Sequence, residues 1–373
     1  MEQAKTREKV RVRVKVKKGP SLGVKLLSSM LIVGALGTSY WLLAQKPQIT
    51  TNPAPTQLSN HQHYSSERAV VLPADDGVHG ARAERWAYRG LLQDQDGRRY
   101  MLQLGIQLSE VGLRQTRFYL SLQDLQSGQI INRQQQVTGL ASQAGVGGFA
   151  FQHEGWKMGG EDRQHLLTVQ ERGLMLKLQL QDSHDAMIHQ LSGSPYPGLL
   201  QTQGSTSTRV HFYSRPKMNT QGELVLEGRT LRLSGAMWFD HLWGDINSGD
   251  ESWIWINLDL GEQGQLLVFD WKGANNTPLL RFASWQQEGR LIPLEGDRVS
   301  LTPLERPGSW SLRLDQQTWQ LQSNTPPIDT ELSGQGREQL GQFVLVNTPP
   351  GGHGLFEIHH ARQASTAKPA ARP

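Results

Sequence analysis

From about Val70 onward, apolar residues recur at every second position, and this period limits the chain's possible folds more than any other feature. Leu174, Leu176, Leu178 and Leu180 alternate with Met175, Lys177 and Gln179. Ile254, Ile256, Leu258 and Leu260 repeat the pattern, as do Trp310, Leu312 and Leu314, then Trp319 and Leu321. Leu224 and Leu226, then Leu231 and Leu233, flank Glu227–Gly228. Side chains that alternate between two faces belong to half-buried strands. Asp96–Gly97, Ser127–Gly128, Gly261–Gly264 and Glu288–Gly289 supply reversals between the runs. Only Gly112 to Phe118 hints at helical spacing. Short strands with frequent turns read as a sandwich or barrel, and a closed sheet leaves an interior that can hold an apolar guest.

The front of the chain differs. Leu26 to Ala44 is a run of 19 residues without a charge, long enough to cross a bilayer as a helix, with Tyr40 and Trp41 near its distal end. Residues 1–25 hold nine bases and two acids, while the rest of the chain has 29 bases against 32 acids. The positive-inside rule then predicts a cytoplasmic N-terminus, a single-pass inner-membrane anchor and a periplasmic or extracellular folded part. Leu43-Ala44-Gln45-Lys46 makes a poor cleavage site. The folded part lacks the positive charge that nucleic-acid binding needs. With no cysteine, disulfides, thiol catalysis and iron–sulfur clusters are excluded.

These features divide the chain into a basic tail (1–25), an anchor (26–44), a linker rich in Pro, Gln and Ser (45–66), two β domains (67–205 and 206–362) and a tail (363–373). The boundary is placed in the Gly-, Pro- and Ser-rich stretch 193–209.

Chemistry concentrates in Ser234-Gly-Ala-Met-Trp-Phe-Asp-His-Leu-Trp-Gly-Asp245. Asp240 beside His241 could hold the imidazole in one tautomer for acid–base work; the same residues could equally form a polar plug with Asp240 capping backbone N–H groups. Asp270 lies in the apolar run Leu266-Leu-Val-Phe-Asp-Trp271. It is either a carboxyl inside a barrel or a strand-end residue turned to solvent near Lys272. Trp253 and Trp255 share one strand face, for core packing or ligand stacking. No G-x-S-x-G elbow, H-E-x-x-H or dinucleotide glycine pattern is present. His61 and His63, and His353, His359 and His360, do not make a metal set, so no metal and no cofactor is expected.

Several segments resemble, in order and spacing, a lipocalin-like family that contains the carotenoid 1,2-hydratases and AttH-type predicted secreted hydrolases. Phe212-Tyr213-Ser214 followed by Gly235 to Gly244 resembles its G-x-x-W-[MF]-D-H-x-W-G signature. Val71-Leu-Pro-Ala-Asp-Asp-Gly-Val-His79, Glu84-Arg-Trp-Ala-Tyr-Arg-Gly90, Asp96-Gly-Arg-Arg-Tyr100 and Gly354-Leu-Phe-Glu-Ile358 resemble further family segments. The resemblance implies an all-β fold of two tandem lipocalin-like antiparallel β-barrels after the N-terminal transmembrane helix. It implies Asp270, His241 and Asp240 as catalytic candidates for adding water to an alkene, with Asp270 the proton donor. Trp243, Tyr213, Trp238, Trp86 and Trp255 are the ligand-binding candidates. Arg85 and Ala87 replace aromatic residues of the family pattern, as does Val268; a buried Arg85 would be costly unless paired.

Three functions follow as expectations. The first is handling of a hydrophobic ligand, a lipid or isoprenoid, at the membrane and by analogy alongside an ABC transporter permease. The second is a hydro-lyase of the carotenoid hydratase type. The third is a structural envelope protein without a ligand.

Overall fold

The alternation becomes strands throughout the structure, a computed structural model that describes residues 67–141, 148–202, 208–246, 250–306, 308–323, 325–332, 336–346 and 352–361. These belong to one compact unit, Gln62–Pro373. The expected anchor and its basic tail lie outside the described residues.

Twelve strands form the first sheet: β1 (Ala83–Gln93), β2 (Arg99–Val111), β3 (Leu113–Asp124), β4 (Ile130–Thr138), β5 (Gly148–His153), β6 (Trp156–Glu161), β7 (Gln164–Glu171), β8 (Leu174–Gln181), β9 (Met187–Ile188), β10 (Leu199–Gln201), β11 (Arg209–Leu226) and β12 (Arg229–Gly244). Ten form the second: β13 (Ser252–Asp259), β14 (Gln265–Lys272), β15 (Pro278–Gln287), β16 (Arg290–Glu295), β17 (Val299–Pro303), β18 (Ser309–Leu314), β19 (Gln317–Gln322), β20 (Ile328–Leu332), β21 (Gly336–Leu345) and β22 (His353–His360). The fold is all-β, with two curled antiparallel sheets. Helix among the described residues is limited to short 3-10 turns. The dipeptides Asp96–Gly97, Ser127–Gly128, Glu227–Gly228 and Glu288–Gly289 fall at hairpin reversals, each glycine at positive φ. Gly112 to Phe118, the weak helical candidate, is instead the β2–β3 reversal and the start of β3.

Strand order departs from the expected division into 67–205 and 206–362. The first sheet runs β4-β3-β2-β1-β12-β11-β8-β7-β6-β5, so β11 and β12 complete it, and the second sheet begins only at Ser252. The turn-rich stretch near 200 joins β10 to β11, which pair with each other. Turn composition marks a connection but carries no information on which strands become neighbours. Pro216 sits where the β11–β12 register shifts between Arg215 and Met218, an irregularity that tolerates a residue without an N–H.

The first sheet's concave face is filled by side chains. Trp86, Tyr88, Phe118, Phe149, Phe151, Trp156, Phe239 and Trp243 belong to one buried cluster there. Its opposite face packs on the second sheet. Phe212 and Trp238 meet Trp255, Phe269, Trp271 and Phe282 in a shared apolar layer, with the Phe212 and Trp255 rings 4.9 Å apart.

A charged cluster sits between the sheets beside that layer. Arg89 of β1 donates to Asp240 at 2.6 Å and to Glu357 of β22, and none of these three side chains is exposed. Arg85 donates to Glu357 and, at 2.7 Å, to Glu338 of β21. Gln103 and Trp253 also donate to Glu357, at 2.9 and 3.1 Å. Three carboxylates thus face two directly bonded guanidiniums. Burial raises the Glu357 carboxyl, but Arg85 and Arg89 outweigh it and hold the group well below its usual range. Burial, with Glu357 beside it, pushes Glu338 up. Burial also lifts Asp240 to about 6, against the pull of Arg89.

Two outcomes follow. Glu357→Ala leaves Arg85 and Arg89 without their shared partner and is expected to destabilise the fold by about 3–5 kcal/mol in urea unfolding; a loss below about 1 kcal/mol would show that the cluster does not hold the sheets together. Asp240 binds its proton more tightly folded than unfolded, so its contribution to stability falls as pH rises from the ordinary aspartate value of 3.8 to about 6. Stability measured at several pH values should therefore drop more steeply for wild type than for Asp240→Asn across that window, and parallel profiles would contradict the assignment.

Candidate functional site

Backbone register brings the sequence-predicted aromatic and acid–base residues into rows. Trp86 of β1, His241 of β12 and Tyr213 of β11 face one another across three strands, and Glu84, Trp243 and His211 form the next row. All lie on the concave face of the first sheet. Gly235 (φ 157°) and Gly244 (φ 150°) bracket the segment, and a Cβ there would come within 2.4 Å of the Leu91 carbonyl oxygen and 2.3 Å of that of Arg209. Both glycines of the motif therefore permit close strand contact.

The segment before β1 completes the site. Asp75 accepts from Arg68, from the Val71 backbone N–H at 2.7 Å and from His79 Nε2 at 3.1 Å. Asp76 accepts from the Tyr213 hydroxyl and, at 3.0 Å, from Arg215, while its carbonyl takes the Trp86 indole N–H at 3.1 Å. His79 stacks on Trp243 at 3.9 Å with the planes 5° apart, and His211 stacks on Trp243 at 5.2 Å. His241 stacks on Trp86 at 4.4 Å.

Glu84 is the centre of this arrangement. Its Oε1 lies 2.7 Å from His79 Nδ1 and 3.0 Å from His241 Nε2, and its Oε2 accepts the His79 backbone N–H at 3.0 Å. Burial would raise this carboxyl, but hydrogen bonds from His241 and His79 outweigh it and hold the group below its usual range. For His79, burial is outweighed by its bonds to Asp75 and Glu84, so the imidazole sits above its ordinary value. For His241, burial prevails over Glu84 and lowers it. His79, Glu84 and His241 bring their ligating atoms within 4.8 Å of one another, a grouping that can hold a metal ion.

Of the residues singled out in the sequence, His241, Trp243, Tyr213 and Trp86 meet here, and the rest do not. Asp240 faces the other way, to Arg89 and to the Ser214 hydroxyl, which donates to it at 2.5 Å. Adjacent strand residues point to opposite faces, so Asp240 does not orient His241; Glu84 does. Trp238 and Trp255 lie in the layer between the sheets, and Arg89 sits 4.8 Å over the Trp255 ring. Asp270 is buried on β14, alternating in register with the core residues Leu266 and Val268, as expected from its run. Yet it accepts from Arg281, its neighbour across to β15, at 2.9 Å, with Lys272 3.7 Å away. Its partners are Arg281 and Lys272, and it is not brought to His241.

The sequence reading did not single out Asp75, Asp76 and His79 as site residues, although the matched opening segment contains all three. It also did not single out His189. That ring lies 2.9 Å from both Ser284 and Ser214, and burial drops it to about 3. His189, Ser214 and Asp240 form a chain with serine in the middle. In a nucleophilic triad histidine bridges serine and carboxylate, so this chain does not activate a serine.

An apolar cleft opens between the sheets. Leu242, Ile246, Trp253, Trp255, Phe269 and Trp271 line it, with Arg85, Arg117 and Glu338 as polar members. Its enclosed volume is about 30 Å³, room for a water or two, so a larger guest would lie along an open groove. Arg117 donates to Gln107 at 2.6 Å, and its Nε has no hydrogen-bond partner among the described residues. Burial lowers its affinity for its proton.

Known proteins share this fold. The chain superposes on a protein assigned to AttH (NE1406) from Nitrosomonas europaea with a TM-score of 0.68 at 19% identity, covering 80% of this chain and 98% of that one. Kievitone hydratase from Nectria haematococca matches with a TM-score of 0.64 at 15% identity, over 80% and 94% of the two chains. CghA matches with a TM-score of 0.51 at 9% identity, over 81% and 96%. No curated protein matches by sequence. The sequence profile described as AttH-like matches residues 63–340, most of the chain. The chain belongs to the AttH-like family.

Proposed function

We propose that the protein handles an amphiphilic ligand with an apolar body and an anionic head, bound in the cleft between the sheets while the segment 26–44 holds the chain at the outer face of a bacterial inner membrane. The observation that carries this reading is the pairing of an aromatic groove with Arg117. Arg85, on the same wall, is already met by Glu338 and Glu357, whereas Arg117 makes no ion pair among the described residues. A guanidinium with no directly bonded carboxylate among the described residues, in a groove lined by tryptophans, suits a carboxylate-headed lipid. The charge asymmetry around residues 26–44 supports the membrane placement. Lipid at the membrane would then reach the groove, and passing it to a transporter permease is the corresponding partnership.

Hydration of an alkene is the second reading. It is favoured by the fold shared with kievitone hydratase and by the buried Glu84 held between two imidazoles. Fold alone does not transfer chemistry, and Asp270, bonded to Arg281 on the second sheet, stands apart from the His241 cluster.

Binding of oleic acid and oleyl alcohol to the purified chain separates these readings. Oleate should bind roughly tenfold tighter than the alcohol, Arg117→Gln should erase that preference, and Trp253→Ala should weaken both, the tenfold matching a hydrogen bond to a charged group. Equal binding of acid and alcohol to wild type would remove the anionic head from the proposal. Conversion of an isoprenoid alkene to its alcohol by wild type, but not by His241→Gln, would replace ligand handling with hydration.

A further inference from the structure

We propose that His79, Glu84 and His241 form a binding site for one divalent transition-metal ion, with zinc the ion best suited to the donor set. Glu84 also borders the cleft, but His79 and His241 do not, and the three-donor set stands whether or not a lipid binds there. Two imidazoles and one carboxylate with an open fourth position are a recurrent zinc arrangement. The three donors come from the segment before β1, from β1 and from β12, distant in sequence and joined only by the fold.

Three features of the surroundings support the assignment. First, two of the three ligands are oriented from behind, while the buried Nδ1 of His241 has no hydrogen-bond partner among the described residues. His79 turns Nδ1 toward Glu84 while Nε2 meets Asp75 at 3.1 Å, and Asp75 is itself fixed by Arg68 and by the Val71 N–H. A carboxylate behind an imidazole is the usual outer partner of a metal-bound histidine. Glu84 is anchored through Oε2 by the His79 backbone N–H, which leaves Oε1 facing both imidazole nitrogens. Second, the rings are clamped. Trp243 lies parallel to His79 at 3.9 Å, and Trp86 stacks on His241 at 4.4 Å. Third, the local charge fits a dication. Asp75, Asp76, Asp182 and Glu84 are four carboxylates, and the guanidiniums bonded to them are two, Arg68 and Arg215. Glu84 has only imidazoles as ion-pair partners among the described residues, so a cation beside it meets a carboxylate that no guanidinium answers. His79 retains 9% exposure of its side chain and Glu84 none, so entry is from the His79 side.

The experiment uses the untagged full-length chain in detergent. After equilibration with zinc and dialysis, bound metal is counted by mass spectrometry, and cobalt is substituted to read its visible absorption and its quenching of tryptophan fluorescence. Wild type should retain one equivalent, and His79→Gln and Glu84→Gln should fall to background. Asp75→Asn should weaken affinity by about 10–100-fold, as loss of an outer partner does. Cobalt should quench tryptophan emission in wild type and not in His79→Gln. Far-UV circular dichroism checks that each variant keeps its β spectrum. Asp75→Asn and His79→Gln change the edge of the fold, so they stand in if Glu84→Gln fails to fold. Folded wild type that retains no metal overturns the proposal, and so does metal retained equally by His79→Gln, which would trace it to histidines elsewhere.

Discussion

Arg89 has no water to turn to, and the arrangement of the two sheets follows from how it is answered. A fully buried guanidinium is tolerated only when carboxylates and hydrogen bonds replace its hydration. Asp240 comes from the neighbouring strand of the same sheet, but Glu357 comes from the last strand of the other. The sheets therefore dock in the one relative position that delivers Glu357 to both Arg85 and Arg89. The apolar layer of Phe212, Trp238, Trp255 and Phe269 contributes burial, which is non-directional; the charged cluster contributes direction. The same cluster accounts for the replacement of the expected aromatic at position 85. An arginine there would be costly beside a hydrocarbon ligand, but here it is one half of the contact between sheets.

Strand alternation divides the chemistry of β1 and β12 between two places. Odd positions of β1 carry Arg85 and Arg89 toward the second sheet; even positions carry Glu84, Trp86 and Tyr88 into the first. On β12 the sense is reversed, with Asp240 outward and His241 inward. Two residues that look like a catalytic pair in the sequence thus serve separate functions, one in docking and one in the aromatic and histidine cluster. The pairing His241 does make, with Glu84, spans more than a hundred residues of chain and depends on the β1–β12 register.

This separates what the sequence showed from what it could not. Strands, reversals and the all-β class were legible because period two and turn dipeptides are local signals. The family was legible because its motifs keep their order. The assembly of β11 and β12 into the first sheet was not, since no local feature names a strand's neighbour. The partner of Asp270 was hidden for the same reason: its run placed it among apolar neighbours, but Arg281 lies opposite only once β14 and β15 are in register. His79 was visible as part of a motif and invisible as a partner of Glu84, because the loop that carries it has no period from which a direction could be read.

The histidine cluster and the cleft are joined by consecutive residues. Glu84 belongs to the first and borders the second, and Arg85 belongs to the second, on a strand hydrogen-bonded along both edges for its full length. Such a strand moves as a body or not at all. A ligand in the groove that drew Arg85 away from Glu338 would change the charge beside Arg117 without displacing Glu84, because the backbone between them is fixed by β2 and β12. Any effect of such a ligand on the cluster would therefore be electrostatic rather than mechanical. The low-dielectric layer of Trp253, Trp255 and Phe269 carries that effect further than water would.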